Sequence, residues 1–238
     1  LPAAGVGCAF SRAMMARIAS MPDKGNQPFS VERLTEDYEL GLRVRELGGR
    51  SRFLRMRDLD GNLIATRACF PTQLSTAVRQ KTRWLHGIAF QSWDRLGWNG
   101  SLAERWMRMR DRRGPFTALV LFIGYLLLIL AAFTALVSWA SGHAMIPLTP
   151  FLQALLLVNF ASFIWRAIVR FCFTSRDYGK TQGLLAILRI PLSNIIAIMA
   201  GRRALTAYVR SLAGEAPSWD KTEHDVHPAL SMTSRGAA

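Results

Sequence analysis

Three short clusters in this chain carry residue types that can do chemistry. The first is Gln80-Lys81-Thr82-Arg83-Trp84. Gln80, Arg83 and Trp84 stand at i, i+3 and i+4, so on a helix they share one face. An amide, a guanidinium and an indole together can hold a phosphorylated sugar, because arginine pairs with phosphate oxygens and a flat ring stacks on a sugar face. The pattern fits equally an amphipathic helix whose Trp84 is core and whose Arg83 faces water. The second cluster is Thr35-Glu36-Asp37. Asp37 can serve as a general base that deprotonates an acceptor hydroxyl. The same residues also describe a helix start, with Thr35 as N-cap and the two acids in the first turn, where the helix dipole favours them. The third is Gly5-Val6-Gly7-Cys8-Ala9-Phe10-Ser11-Arg12. Small residues such as Gly7 let backbone approach a ligand closely, although a plain strand–turn–helix junction has the same composition.

The surrounding pattern sets the elements that must position these clusters. Tyr38, Leu42 and Leu47 continue from Thr35 at helical spacing, and Gly48-Gly49 ends that helix. Arg52-Phe53-Leu54-Arg55-Met56 alternates as a short strand does, Asp58 to Asn62 is a turn, and Leu63 to Phe70 reads as a second strand. Pro71-Thr72 opens a long helix running to about Trp93, and Gly97, Asn99 and Gly100 mark the next loop. Residues 1–113 therefore read as a mixed α/β piece.

Charge distribution fixes the broad class. The chain has 238 residues, 50% hydrophobic and 19% charged, with a net charge of +14. Soluble domains average about 25% charged residues. Residues 1–113 hold 20 basic and 11 acidic side chains, residues 166–238 hold 10 and 5, and residues 114–165 hold none. That charge-free run is long enough for two crossings at about 20 residues each, expected over about 114–140 and 145–165. A wholly soluble protein, a disordered chain and a disulfide scaffold are excluded, the last because Cys8, Cys69 and Cys172 are few, odd in number and scattered. Basic residues on both outer flanks, and none in the turn at Ser141 to Ala144, place both flanks in the cytoplasm. Their juxtamembrane position, as in Arg105 to Arg113, favours anionic lipid head groups over nucleic acid as the partner. A third apolar stretch, 183–201, carries Arg189, Pro191 and Asn194 in its middle and suits an interfacial or re-entrant helix better than a third crossing.

Taken together, the clusters resemble a known family. The order of small-residue loop, T-E-D and Q-x-x-R-W ahead of a membrane hairpin resembles the C-terminal part of membrane-embedded family 2 glycosyltransferases. It is closest to the bacterial inner-membrane type related to phage adsorption protein B. The subgroup rests on Gly7 to Arg12, Leu34 to Gly41, Gln80 to Trp84 with Gly87 to Gln91, Arg110-Asp111-Arg112 and the tail Trp219 to His224. The resemblance implies a fold that is α/β plus membrane helices. Residues 1–113 would be the C-terminal part of a cytoplasmic GT-A catalytic domain. Residues 114–182 would form the transmembrane hairpin and a cytoplasmic connection, 183–210 an interfacial or re-entrant helix, and 211–238 a cytoplasmic tail. It also implies inverting transfer of a sugar from a nucleotide diphosphate sugar to a saccharide or lipid-linked acceptor, in envelope or exopolysaccharide synthesis. By that analogy Asp37 is the catalytic base. Thr35, Glu36, Gln80, Arg83 and Trp84 bind substrate, and Gly7 and Cys8 belong to the acceptor-side loop.

The resemblance further implies a divalent cation, Mg²⁺ or Mn²⁺, with its ligands mostly outside this chain. Asp58-Leu59-Asp60 has the letters of a D-x-D metal motif but follows T-E-D and reads as a turn. The chain begins Leu-Pro and reads as the back half of a longer protein, inactive alone. His86 reads as core or helix surface, and His224 with His227 lacks the companions of a zinc site. Two other classes compete: a non-catalytic membrane scaffold for polysaccharide export or phage adsorption, and a basic nucleic-acid binder, which nothing in the motifs supports.

Overall fold

The computed structural model describes residues 2–3, 7–21, 34–65, 71–144 and 147–215. The expected tail motif Trp219 to His224, Gly5, Cys69 and His227 lie outside the described residues. The described chain is helical: α1 Arg12–Ala19, α2 Glu36–Glu46, α3 Leu74–Leu85, a π-helical segment His86–Gln91, α4 Ser92–Leu96, α5 Leu102–Arg112, α6 Gly114–Ser141, α7 Pro150–Tyr178, α8 Lys180–Leu188 and α9 Ile190–Leu212. It divides into two compact units, Leu1–Ala118 with Met199–Ala238, and Leu119–Ile198.

In the first unit, Ser11 caps α1 by accepting the Met14 N–H at 3.3 Å. Burial of Ile18 on α1 against Leu40 and Val44 on α2, edged by Met14, Met15 and Leu47, joins the two helices. α2 ends as its sequence expects. Gly48 adopts φ +78°, and the Gly49 N–H donates to the Val44 carbonyl at 2.8 Å. The expected long helix is present as the continuous run α3, π-helical segment, α4, from Leu74 to Leu96. A π-helical segment is uncommon, and such segments recur at functional sites.

α5 opens on a capping box. The Ser101 N–H donates to Glu104 Oε2 at 2.7 Å and the Glu104 N–H donates to Ser101 Oγ at 3.4 Å. Two arginines of α5 donate to carbonyls at both ends of α4, among them the orphaned ones at its C-terminus. Arg108 Nη1 donates to the Leu96 and Gly97 carbonyls at 2.7 and 3.2 Å. Arg112 Nη1 donates to the Gly97 carbonyl at 2.7 Å, and its Nη2 to the Ser92 carbonyl at 3.2 Å. The Arg112 guanidinium also lies 4.9 Å from the Trp98 ring and 5.4 Å from Trp93. The expectation that the whole run Arg105 to Arg113 meets lipid is corrected here: Arg108 and Arg112 are buried.

The expected α/β character is not seen. Among the described residues the two short strands reduce to one antiparallel bridge, Arg57 with Leu63. The Ile64 N–H donates to the Met56 carbonyl at 3.0 Å, and Gly61 (φ +81°) lies in the turn between. The remainder of the second strand, 66–70, lies outside the described residues. The physical reason is that a lone hairpin is marginal without a third strand or a covering face. Phe53, Leu54, Met56 and Ile64 are exposed, so the alternation buries neither face.

Among the described residues α6 and α7 are each long and apolar enough to cross a membrane, and the bent pair of α8 and α9 passes the same test only when taken together. α7 starts at Pro150, with Thr149 Oγ1 accepting the Leu152 N–H, and runs past the expected end near Trp165 as far as Tyr178. Arg166, Arg170 and Arg176 all lie on it, because the stop signal is Gly179 (φ +87°) and not the loss of apolar residues. α8 folds back on α7, and Gly183 allows the approach: a Cβ there would lie 2.9 Å from Phe171 Cδ2. α8 and α9 meet at a bend of 47° at Arg189, two residues before Pro191, which lacks an N–H and sits in the first turn of α9. The Asn194 amide donates to the Tyr125 hydroxyl at 3.2 Å, so the central asparagine of the third stretch has a partner on α6.

Candidate functional site

The candidate site is built where the start of α2 meets the π-helical segment that follows α3. Thr35 holds the N-cap position of α2 but makes no side-chain cap hydrogen bond. This corrects the expectation that Thr35 caps the helix. Its side chain is buried against Gly87 instead, where a Cβ on Gly87 would lie 2.6 Å from Thr35 Cγ2 and 3.0 Å from Thr35 Cβ. Only glycine leaves room for that approach. The Leu34 N–H donates to Gln91 Oε1 at 3.4 Å one helical turn further on. Glu39 is almost fully buried, with Oε1 3.5 Å from Arg95 Nη1 on α4. The T-E-D start and the helical run carrying Q-x-x-R-W are thus in direct contact.

Within that frame each expected residue has a place. Asp37 is half-buried, and its Oδ1 accepts the Tyr38 N–H at 2.9 Å. Glu36 is half-buried beside it. Gln80 is buried and Arg83 half-buried, whereas Trp84 keeps 40% of its surface exposed. The Arg83 Nε is buried without a hydrogen-bond partner among the described residues, a donor left for a ligand or water. Burial pushes the neighbouring Lys81 ammonium below its ordinary pKa. Gly7 (φ +66°) and Cys8 are exposed in the segment before α1. The adjoining Pro2 and Ala3 lie against α2 at Gly41, where a Cβ would come 2.7 Å from the Pro2 carbonyl carbon. The T-E-D start thus meets the helical run of Q-x-x-R-W, and Pro2 and Ala3 meet α2, while Gly7 and Cys8 face outward.

Several positioning residues were not legible in the motifs. Tyr38 donates its hydroxyl to Asp111 Oδ2 at 3.3 Å, tying α2 to α5. Burial, and then the Asp111 carboxylate, push the phenol's pKa well above its ordinary value, so it stays a donor. The second half of α9 backs the π-helical segment. Tyr208 stacks on Phe90 at 4.4 Å between centroids, and its hydroxyl donates to Asp94 Oδ1 at 3.3 Å. His86 is buried edge-on to both rings, and burial holds its imidazole below the ordinary pKa against an opposing hydrogen bond to the Ala204 backbone. The available signal was weak: His86 and Phe90 one turn apart, and the single ring of Tyr208 more than a hundred residues away in sequence.

The implied divalent cation does not find ligands here. Among the described residues no group of three or more His, Cys, Asp and Glu side chains comes together. The Asp58 carboxylate accepts the Asn62 N–H at 2.7 Å and so shapes its own turn. No step below is routed through a metal.

Comparison with known proteins decides the family. The model of glycosyl transferase family group 2 matches residues 1–199. The chain belongs to that family. It is also 36% identical over 248 residues to "Bacteriophage adsorption protein B" of Escherichia coli (strain K12), a match covering 94% of this chain and 33% of that protein. "Bacteriophage N4 adsorption protein B" of Escherichia coli O157:H7 matches with the same identity and coverage. The chain therefore spans about a third of the length of those curated relatives. No solved structure matches.

Proposed function

We propose that the full-length protein is an inverting glycosyltransferase. It moves a sugar from a nucleotide diphosphate sugar to a saccharide or lipid-linked acceptor at the bacterial inner membrane, in envelope or exopolysaccharide synthesis. The observation that carries this reading is the seating of Thr35 on Gly87, which brings the T-E-D start of α2 against the helix of Q-x-x-R-W. In this reading Asp37 takes the proton of the acceptor hydroxyl. The acceptor oxygen forms its bond to the anomeric carbon on the face opposite the leaving group. The bond from that carbon to the phosphate oxygen breaks, and the nucleoside diphosphate leaves with the electron pair. Arg83 offers its unpartnered donor to the diphosphate, Trp84 stacks on the acceptor sugar, and Gln80 supports that helix face. Glu36 lines the same entrance, and Gly7 and Cys8 line the acceptor side. The fragment alone is inactive in this reading, since the nucleotide pocket and metal ligands would come from sequence outside it.

The topology proposed with it has 1–113 as the C-terminal part of the cytoplasmic catalytic domain, a transmembrane hairpin and cytoplasmic connection over 114–182, an interfacial or re-entrant helix over 183–210 and a cytoplasmic tail over 211–238. The test is a panel of nucleotide diphosphate sugars offered to the reconstituted full-length protein, with release of nucleoside diphosphate measured. Release from one donor, dependent on an acceptor, is the expected result, and release from none overturns the enzymatic reading. The names of the two relatives favour one second reading, a membrane component used in phage adsorption without transfer. Phage adsorption that survives in a transfer-dead variant would support it.

A further inference from the structure

α5 has its polarity inverted. At 100° per residue, Arg108 and Arg112 lie within 40° of each other on the buried side of the helix. On the outer side, about 80–140° around the helix from the midpoint of that pair, Leu102, Trp106 and Met109 form a stripe, exposed at 84%, 63% and 44%. Arg105 flanks that stripe on one side and Arg110 on the other, both exposed, and Arg113 continues it in line at the end of the helix. The buried arginines are consumed by carbonyls at the end of α4 and by the Trp93 and Trp98 rings. The outer ones are held lightly: Arg105 Nε donates to the Gly100 carbonyl at 3.2 Å, and Arg110 Nε stands 3.9 Å from Asp111. A soluble helix does the reverse, burying its apolar stripe and presenting its charges to water.

We propose that the outer face of α5 docks on the anionic lipid surface of the membrane that α6 enters. Two features select that occupant. The arrangement of an apolar stripe with a tryptophan between rows of arginines matches a helix lying at the headgroup boundary, with its stems in the acyl region and its guanidinium groups on phosphates. The chain then passes from α5 through the single residue Arg113 into α6, an apolar helix of 28 residues. α5 therefore cannot be far from the point where the chain enters the bilayer. Docking would fix more than α5, because its inner face holds α4 through Arg108 and Arg112 and α2 through Asp111 and Tyr38.

The experiment uses the full-length protein in nanodiscs of phosphatidylcholine, with and without phosphatidylglycerol, whose acyl chains are brominated near the headgroup. Bromine quenches tryptophan fluorescence on contact. Trp139 and Trp165, exposed on the apolar helices, are quenched in any case. The Trp106→Phe variant should lose the share of the quenching that Trp106 contributes, so its quenching should fall below that of the wild type. In discs without phosphatidylglycerol, and in the double variant Arg105→Gln with Arg110→Gln, that share should fall. Trp106→Phe changes an exposed side chain, so folding is not at stake. Equal quenching in wild type and Trp106→Phe overturns the proposal. A Trp106 share that ignores phosphatidylglycerol and both arginines overturns the anionic part and leaves only apolar contact. Protection of Trp106 that grows with protein concentration assigns the face to a second copy of the chain and also overturns the proposal.

Discussion

Gly87→Ala is the sharpest perturbation the site offers. The added methyl would stand 2.6 Å from Thr35 Cγ2, where carbon atoms rest at about 3.5–4.0 Å. Either Thr35 or the π-helical segment must therefore give way by about 1 Å. Thr35 is buried and Gly87 sits in a hydrogen-bonded helical run, so neither moves freely. Overpacking of this kind costs about 1–3 kcal/mol. A misplacement of about 1 Å between reacting groups costs about 100-fold in rate. The assay pairs denaturation in detergent with nucleoside diphosphate release by the full-length protein. Gly87→Ala should lose both stability and turnover, with Asp37 and Arg83 intact. Thr35→Ala in the same chain removes Oγ1 and Cγ2 and leaves only Thr35 Cβ at 3.0 Å, so it should recover most of the lost stability. Stability is the readout of that rescue, because Thr35 is itself a candidate substrate contact. Wild-type behaviour of Gly87→Ala, or simple additivity of the two changes, would show that the helices do not meet as described.

Two further outcomes follow from the buried polar groups. Arg112→Ala should cost about 2–3 kcal/mol, since it strips the Ser92 carbonyl of its arginine donor, leaves the Gly97 carbonyl with the longer bond from Arg108, and removes the cation beside the Trp93 and Trp98 rings. Arg112→Lys should recover less than half, because an ammonium cannot fork to both acceptors, and urea midpoints of the three proteins decide it. For His86 the folded pKa lies below the ordinary 6.5 of the unfolded chain, so the unfolded state takes up the proton first as pH falls. Stability should therefore be fully present above about pH 6.5 and decline below it, and His86→Phe should flatten that decline in melting curves taken at several pH values.

Helices were readable in this chain because their signals are local. Gly48-Gly49 ends α2 through a left-handed residue, and the uncharged stretch from Gly114 marks α6, without reference to anything distant. The strands were not, because alternation at 52–56 states only what a sheet would bury, and no partner strand is present among the described residues to bury it. The motif residues Thr35, Asp37, Arg83 and Trp84 were legible as types and spacing. Their meeting was not, since it depends on Gly87, a residue that carries no chemistry and matters only as an absence of bulk. The arginines of α5 show the same limit from the other side. Arg105, Arg108, Arg110 and Arg112 look alike in sequence, and only the position of the α4 carbonyls separates the two that are structural from the two that face outward.

Asp37→Asn is the decisive measurement. Asparagine keeps the shape of the side chain and an oxygen that can accept the Tyr38 N–H, and it removes only the ability to take a proton at neutral pH. In the full-length protein, acceptor-dependent release of nucleoside diphosphate should fall by at least about 100-fold, with the melting temperature and membrane insertion unchanged. Turnover equal to wild type would contradict Asp37 as the base and, with it, the assignment of this helix start as the centre of transfer.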